Sequence, residues 1–167
     1  GWDEDKYNLK HTKKGYYVLD KLIKDNIELC DIFIVKKKTI YFVHVKDGFN
    51  TQMRHLYIQI ILSAKRLWHD LYNTTGSSYL VETLKKYNKK YPDNTIDADA
   101  ILNGIMENEY KIEFVMAYRN YSYSGHTDIE KVNLSQSNIA KYSLVQTVRE
   151  MRNYRRFGIK VIELSGR

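Results

Sequence analysis

The sequence has one cysteine, one proline and no long apolar run. A single cysteine cannot form an internal disulfide or supply a cysteine-based zinc site, and Cys30 inside an apolar segment fits a reducing cytoplasm. No apolar stretch approaches the ~20 residues that cross a bilayer, and the charged first residues are unlike a signal peptide. These absences favour a cytoplasmic protein with no membrane partner.

A glycine-rich phosphate loop is also missing, which argues against nucleotide hydrolysis of the P-loop kind. Basic residues are in excess, since 27 lysines and arginines against 20 acidic residues give a formal net charge of +7. This balance favours a polyanionic partner, although it concerns attraction and not activity. The chain of 167 residues is long enough for one domain, alone or within a longer protein.

Two runs rich in β-branched and aromatic side chains, separated by three lysines, occupy residues 27–35 and 39–46. This pattern predicts an antiparallel β-hairpin. Because strand side chains alternate between faces, His44 and Lys46 share one side of the second strand. Asp31 lies inside the first apolar run. Polar and charged groups in such runs are costly unless they are paired, bind a metal or lie at an open edge.

The rest of the chain alternates between helical and extended patterns. Helices are predicted over residues 13–24 (capped by Thr12), 53–72, 79–90, 97–107 and 140–157, strands over 110–118 and 159–164, and a polar loop over 119–136. The two late strands each follow a helix, so we expect right-handed parallel crossovers. The predicted fold class is α/β, a mixed β-sheet flanked by helices on both faces.

An acid, an imidazole and an ammonium group on neighbouring strands are arranged in the sequence like the functional residues of an Asp…(Asp/Glu)-x-Lys nuclease site. Asp31 can hold a hard divalent cation, and Lys46 can hold an attacking water or neutralise a phosphate. His44 stands where the second acid would be. Histidine prefers softer metals than Mg²⁺, so three roles stay open for His44: a ligand for Mn²⁺, a general base or a phosphate contact. The expected cofactor is Mg²⁺ or Mn²⁺.

The order of elements and these residues resemble the PD-(D/E)xK nuclease superfamily. Three blocks, at residues 27–31, 44–46 and 54–59, are similar to the E-x-C-D, H-V-K and S-H-L-F-x-Q motifs of its sporadically distributed DUF6119-like branch. The resemblance implies a restriction-endonuclease-like αβββαβ core in a single domain over residues 1–167, with an insertion at about 73–108. Two residues depart from the pattern: His44 replaces the superfamily acid and Arg54 replaces the serine of the branch.

The resemblance also implies roles for individual residues. The implied catalytic residues are Asp31, His44, Lys46 and Gln59. The implied metal ligands are Asp31, Glu28, His44 and the carbonyl of Val45. The residues expected to contact nucleic acid are Arg54, His55, Arg149, Arg152, Arg155 and Arg156, of which the last four are predicted to form one stripe on a helix.

The expected function is therefore metal-dependent hydrolysis of phosphodiester bonds in DNA or RNA, and the resemblance implies a role in defence or in a mobile element. A homodimer is left open. Two alternatives remain. One is a catalytically inactive nucleic-acid-binding module of the same fold, and the other is a protein-interaction domain of a larger defence or toxin protein. The tyrosines Tyr118, Tyr121 and Tyr123 either stack on unpaired bases or pack within a loop.

Overall fold

In a computed structural model of the chain, the structure describes residues 15–19, 22–24, 27–72 and 78–165. These residues contain the strands β1 Tyr16–Val18, β2 Ile23–Lys24, β3 Ile27–Glu28, β4 Ile32–Lys36, β5 Thr39–Asp47, β6 Lys111–Arg119 and β7 Phe157–Glu163. They also contain the helices α1 Gln52–Tyr72, α2 Tyr79–Lys90, α3 Ala98–Met106, α4 Asp128–Leu134 and α5 Asn138–Met151. None of these helices has both the length and the apolarity needed to cross a bilayer.

The main sheet has five strands in the order β1-β4-β5-β6-β7, and β2 pairs with β3 in a separate short ribbon. The β1–β4 and β4–β5 pairs are antiparallel, whereas the β5–β6 and β6–β7 pairs are parallel. Helices connect the parallel strands, as the crossover rule requires. The predicted α/β class with a mixed sheet flanked by helices is confirmed.

The predicted hairpin is formed by β4 and β5, but its first strand begins at Ile32 and not at Ile27, because Ile27–Glu28 pairs with β2 instead. Its register places Phe33 opposite Phe42 and ends at the pair of Lys36 and Thr39. The two residues of the turn, Lys37 and Lys38, have φ values of 47° and 59°. Positive φ at both turn positions is the conformation whose twist matches a two-residue hairpin, so the turn fixes the register of the hairpin.

The helices bury their apolar sides against one face of the sheet. Helix α1 lies at the centre of this layer, and its buried apolar residues are Met53, Leu56, Ile60, Ala64, Leu67 and Leu71. The aromatic rings of Phe33, Phe42 and Phe114 pack in succession beneath it, Phe33 edge to face with Phe42 at a centroid distance of 5.3 Å and Phe42 stacked on Phe114 at 5.1 Å. Burial of these side chains is the main driving force for closing the helices onto the sheet.

The opposite face of the sheet carries a second apolar cluster built from strand residues, with Val45, Val115 and Ala117 at its centre. The sequence favoured helices on both faces, but all five described helices lie on the first face. The difference arises because the early segment expected to be a helix is partly extended. Tyr16–Val18 forms the edge strand β1, and Leu19 continues it by donating its amide to the carbonyl of Asp31 at 2.8 Å.

The prediction of a helix over residues 13–24 is thus wrong for the part that the structure describes, while Thr12 and its neighbours lie outside the described residues. Tyr17 packs its ring on Phe33 and Tyr87, with centroids 6.2 and 5.6 Å apart. This side chain is turned to the core, and its two neighbours in the strand point the other way, which is the two-residue period of a strand. The partner strand decides this conformation.

Two further boundaries differ from the prediction. The expected loop over residues 119–136 contains helix α4, which begins with a capping box between Thr127 and Glu130. The helix expected over residues 140–157 ends at Met151, and Phe157 is the first residue of β7. Phe157 fills the core between Phe114 and Trp68, so burial of its ring pulls the chain out of the helix. The single-domain assignment with an insertion at 73–108 stays a prediction.

Candidate functional site

The carboxylate of Asp31 is fixed at the end of the hairpin where β5 finishes. Asp31 immediately precedes the first registered pair of Ile32 and Val43. The amide of Asp31 donates to the carbonyl of Val43 at 3.0 Å. The amide of Val45 donates to Oδ2 of Asp31 at 2.6 Å, and Asp31 is only 4% exposed. A charge-assisted bond of this kind holds the carboxylate firmly in place.

His44 is completely buried on β5, immediately before Val45. Its ring lies nearly parallel to that of Phe114, with a centroid distance of 6.4 Å and an interplanar angle of 9°. Neither ring nitrogen has a hydrogen-bond partner within the described residues. Burial, followed by the charge of Lys46, lowers the pKa of His44 to about 3. The imidazole is therefore neutral, the form that binds metal ions, and two buried nitrogens that lack partners among the described residues require an explanation.

Lys46 is the next residue on the same face of β5 and is half-buried. Its ammonium group forms no hydrogen bond or ion pair within the part of the chain that the structure describes. The register places Lys46 beside Tyr118 of β6, and Tyr118 beside Glu163 of β7. This row of three residues runs across the carboxyl ends of three parallel strands, the edge at which α/β sheets bind ligands.

Helix α1 presents a polar edge to the segment that carries the acids. The hydroxyl of Ser63 donates to the carbonyl of Leu29, between Glu28 and Asp31. Gln59 lies one turn before Ser63 and therefore on the same side of α1. Its Oε1 atom is buried and has no partner in the described parts of the chain. The predicted Gln59 is thus brought to the side of the helix that faces the β3–β4 connection.

Both acids of this connection act on the thiol of Cys30. Cys30 is buried between them, and burial, followed by the charges of Asp31 and Glu28, raises the pKa of its thiol well above the ordinary value. Glu28 itself is half-buried on β3. Within the described residues, no group of three or more His, Cys, Asp or Glu side chains is arranged to hold a metal ion. The ligand set of Asp31, Glu28, His44 and Val45 stays a prediction.

The donors that are present fit a cation in part. Asp31 supplies a rigid carboxylate and His44 a neutral nitrogen with no competing partner among the described residues. An oxygen together with an imidazole nitrogen suits a metal softer than Mg²⁺. The remaining coordination positions would be filled by Glu28, by the carbonyl of Val45 or by water. The chemistry of the donors therefore favours Mn²⁺.

The four C-terminal arginines, which were predicted to contact nucleic acid from one stripe of a helix, lie away from this site, and their contact with nucleic acid stays a prediction. Arg149 is on α5, but Arg152, Arg155 and Arg156 follow the end of the helix and form no helical stripe. Arg156 is half-buried and donates to the carbonyl of Ile105, so it has a structural partner. The segment leads into Phe157 at the amino end of the parallel strands, in the row of Ile112 and Ile40. That row is roughly 20 Å from the row of Lys46, six residues further along β5.

Arg54 and His55 lie at the same end of the sheet as Lys46. Both are exposed on the first turn of α1, which begins five residues after the end of β5. The sequence prediction did not assign Tyr118 and Asp128 to this site. Tyr118 continues the row of Lys46 on β6, and Asp128 of α4 is its neighbour. The capping sequence Thr127-x-x-Glu130 was the signal that a helix would bring Asp128 to this edge.

Comparison with protein families gives one match. The model of a family described as a family of unknown function, DUF6119, matches residues 1–163. Comparison with curated proteins and with solved structures finds no match. The family match extends over almost the whole chain, including every residue of the hairpin site and of the row that begins at Lys46.

Proposed function

The chain belongs to the DUF6119 family, and we propose that it is a nuclease-like domain that uses a divalent cation to hydrolyse phosphodiester bonds in DNA or RNA. The observation that carries this proposal is the position of three side chains at one end of the hairpin. Asp31 is held by the amide of Val45 at 2.6 Å, and His44 and Lys46, the residues on either side of Val45, share one face of β5. An acid on one strand, followed on the next by a possible ligand two residues before a lysine, resembles the PD-(D/E)xK pattern with His44 in place of the second acid.

Each residue then has a distinct part. Asp31 and His44, with Glu28 and the carbonyl of Val45, would hold Mn²⁺ or Mg²⁺. The bound cation would stabilise charge on the phosphate and lower the pKa of a water molecule. Lys46 is half-buried and has no ion-pair partner among the described residues, so its ammonium group is available to hold the attacking water or the scissile phosphate. Gln59 supplies a further polar contact from α1.

The charge of the protein supports a nucleic acid as the substrate. A formal net charge of +7 attracts polyanions in general. Arg54 and His55 are exposed at the site end of α1, where a phosphate beside the scissile one would lie. Contacts of this kind position the backbone and do not read the sequence. The distant arginines at 149, 152 and 155 have no part in this proposal.

One observation favours a second function, that of a catalytically inactive nucleic-acid-binding module. His44 is fully buried against Phe114, and the described residues contain no ready-made group of three metal ligands. A histidine in place of an acid also removes one negative charge from the site. Such a domain would bind nucleic acid in a salt-dependent manner but would not cut it.

The experiment that separates the two functions is a cleavage assay on end-labelled single-stranded and double-stranded DNA and RNA, with Mn²⁺, with Mg²⁺ or with EDTA. We expect cleavage with Mn²⁺, less with Mg²⁺ and none with EDTA. Lys46→Ala should reduce the rate by about 100-fold or more, because it removes a charge that contacts the reacting phosphate.

The matched control is Lys36→Ala, which removes an exposed lysine at the other end of the same hairpin. Its rate should stay within about twofold of the parent rate, since a solvated surface charge contributes little to a distant reaction. Binding of all substrates without cleavage under any condition would favour the inactive module. Cleavage that survives Lys46→Ala at the parent rate would refute the assigned site.

A further inference from the structure

A cavity of about 270 Å³ lies beside the row of Lys46, between the sheet and helix α4. Tyr118 of β6 and Glu163 of β7 belong to its wall, and both are in the same register row as Lys46. Adjacent strands are about 4.8 Å apart, so the cavity begins one strand away from the proposed catalytic lysine. A ligand in the cavity would therefore be a neighbour of a phosphate held by Lys46.

The wall of the cavity is rigidly built. Glu163 accepts hydrogen bonds from the side chain of Lys131 at 2.8 Å and from the amides of Asn120 and Ser165 at 2.9 and 2.8 Å. This buried ion pair ties α4 to the end of β7. Because Lys131 balances the charge of Glu163, the cavity wall is neutral at this point, and α4 is held at a fixed distance from the sheet.

The remaining lining combines apolar surface with a few polar groups. Ile129, Val132 and Leu144 supply the apolar surface, and Ile129 is 74% exposed at the mouth. Besides Glu163, the lining residues with polar side chains are Tyr118, Asp128 and Asn133. Asp128 accepts no hydrogen bond and forms no ion pair within the residues that the structure describes. A mostly apolar cleft with a few convergent polar groups is typical of a small-molecule subsite.

The chemistry of this lining selects the type of ligand. A free carboxylate at Asp128 repels a phosphate, so the sugar–phosphate backbone is disfavoured inside the cavity. A flat apolar ring with amino groups at its edge fits better, because it covers Ile129 and Leu144 and can donate to Asp128. Carboxylates accept hydrogen bonds from the exocyclic amino group of cytosine in this manner, and adenine and guanine also carry one.

We propose that this cavity binds one unpaired nucleobase that carries an exocyclic amino group, adjacent to the phosphate held at Lys46. The inference rests on the proposed nuclease function and narrows its substrate to a single strand or an unpaired stretch, since a stacked and paired base cannot enter. The base would be held by contact with Ile129 and Leu144 and by a hydrogen bond to Asp128. Uracil and thymine, which lack the amino group, would bind less well.

The test is NMR titration of the whole chain with the nucleosides cytidine, adenosine, guanosine and uridine, without metal, beside inorganic phosphate. Nucleosides carry no phosphate, so their binding does not depend on the catalytic site. We expect shifts of the Tyr118, Ile129 and Val132 signals with cytidine, and an affinity at least about fivefold higher than that for uridine, as one hydrogen bond to a charged group allows.

Two variants and a control complete the design. Asp128→Asn should bring cytidine and uridine to equal affinity, and Ile129→Ala should weaken both. Asp99→Asn is the control, because Asp99 also lies in the first turn of a helix but belongs to α3 and does not line the cavity. It should leave every affinity unchanged. All three substituted side chains are exposed, so these proteins should fold.

The outcomes separate this inference from the proposed function. If no nucleoside shifts the cavity signals, or if cytidine keeps its advantage in Asp128→Asn, the base subsite is refuted even when cleavage is observed. If cytidine binds as expected but no substrate is cut, the subsite stands and the nuclease function fails. Binding of inorganic phosphate in the cavity would also overturn the inference, because it would show an anion site and not a base site.

Discussion

The amide of Val45 donates to the carboxylate of Asp31 at 2.6 Å, in place of a backbone partner from β4. Strand β4 begins only at Ile32, so the amide of Val45 has no ladder carbonyl at that position. The side chain of Asp31 takes over this role and is thereby aimed at the segment of β5 that carries His44 and Lys46. One hydrogen bond thus serves the register of the hairpin and the geometry of the candidate site.

This bond predicts different costs for two substitutions of Asp31. Asp31→Ala leaves the buried amide of Val45 without an acceptor and should lower the free energy of unfolding by about 2–3 kcal/mol. Asp31→Asn keeps an oxygen acceptor and should cost about 1 kcal/mol or less. Urea unfolding followed by circular dichroism measures both. Equal costs for the two variants would show that the hydrogen bond contributes nothing particular to the fold.

His44 is predicted to lower the free energy of unfolding, because its imidazole is kept as a ligand for a cation. A buried imidazole with two nitrogens unpartnered in the described residues costs free energy, and a leucine of similar volume would not. We expect His44→Leu to be as stable as the parent or up to about 1 kcal/mol more stable. Thermal unfolding with and without Mn²⁺ is the measurement, and Mn²⁺ should raise the melting temperature of the parent alone. A clear loss of stability in His44→Leu would mean that the imidazole is a satisfied core residue.

Glu163 makes stability depend on acid pH. Burial alone would raise its pKa, but hydrogen bonds from Lys131, Ser165 and Asn120 outweigh burial and lower the pKa from 4.5 to about 2. A lowered carboxyl pKa means that the contribution to stability is fully present above about pH 4.5 and is lost as the pH falls toward 2. The free energy of unfolding, relative to that of Glu163→Gln, should fall by about 2 kcal/mol between pH 6 and pH 2.5. A difference that does not change with pH would contradict the assignment.

The position of the basic residues predicts unequal effects on nucleic-acid binding. Arg54→Ala, at the site end of α1, should weaken binding of a single-stranded oligonucleotide about fivefold and reduce the salt slope by about one. Arg155→Ala, at the opposite end of the strands, should change the affinity by less than about twofold. Fluorescence anisotropy at several salt concentrations measures both effects. The reverse ranking would place the nucleic acid at the arginine-rich turn.

The hairpin and its polar residues could be predicted because their signals are local. Alternation with period two places His44 and Lys46 on one face whatever the rest of the chain does, and a charge inside an apolar run is visible at Asp31. The capping pair of Thr127 and Glu130 was equally local, and helix α4 could have been predicted from it.

Other features depend on distant partners and could not be predicted. Tyr17 lies in a strand because β4 offers an edge and the core offers Phe33, and neither fact is present in residues 13–24 themselves. The arginine stripe failed for a similar reason. Helical spacing assumes that the helix continues, but burial of Phe157 ends the helix before Arg152. Tertiary packing overrides local propensity at both places.

The central claim is that Asp31 and His44 bind a divalent cation, and calorimetric titration with Mn²⁺ tests it most directly. Asp31→Asn is the matched variant, since it keeps the hydrogen bond to Val45 and removes only the charge. We predict that the parent protein binds one Mn²⁺ and that Asp31→Asn binds it at least about tenfold more weakly, because a metal ligand must be ionised. Equal binding by the two proteins, or no binding by the parent, would contradict the account.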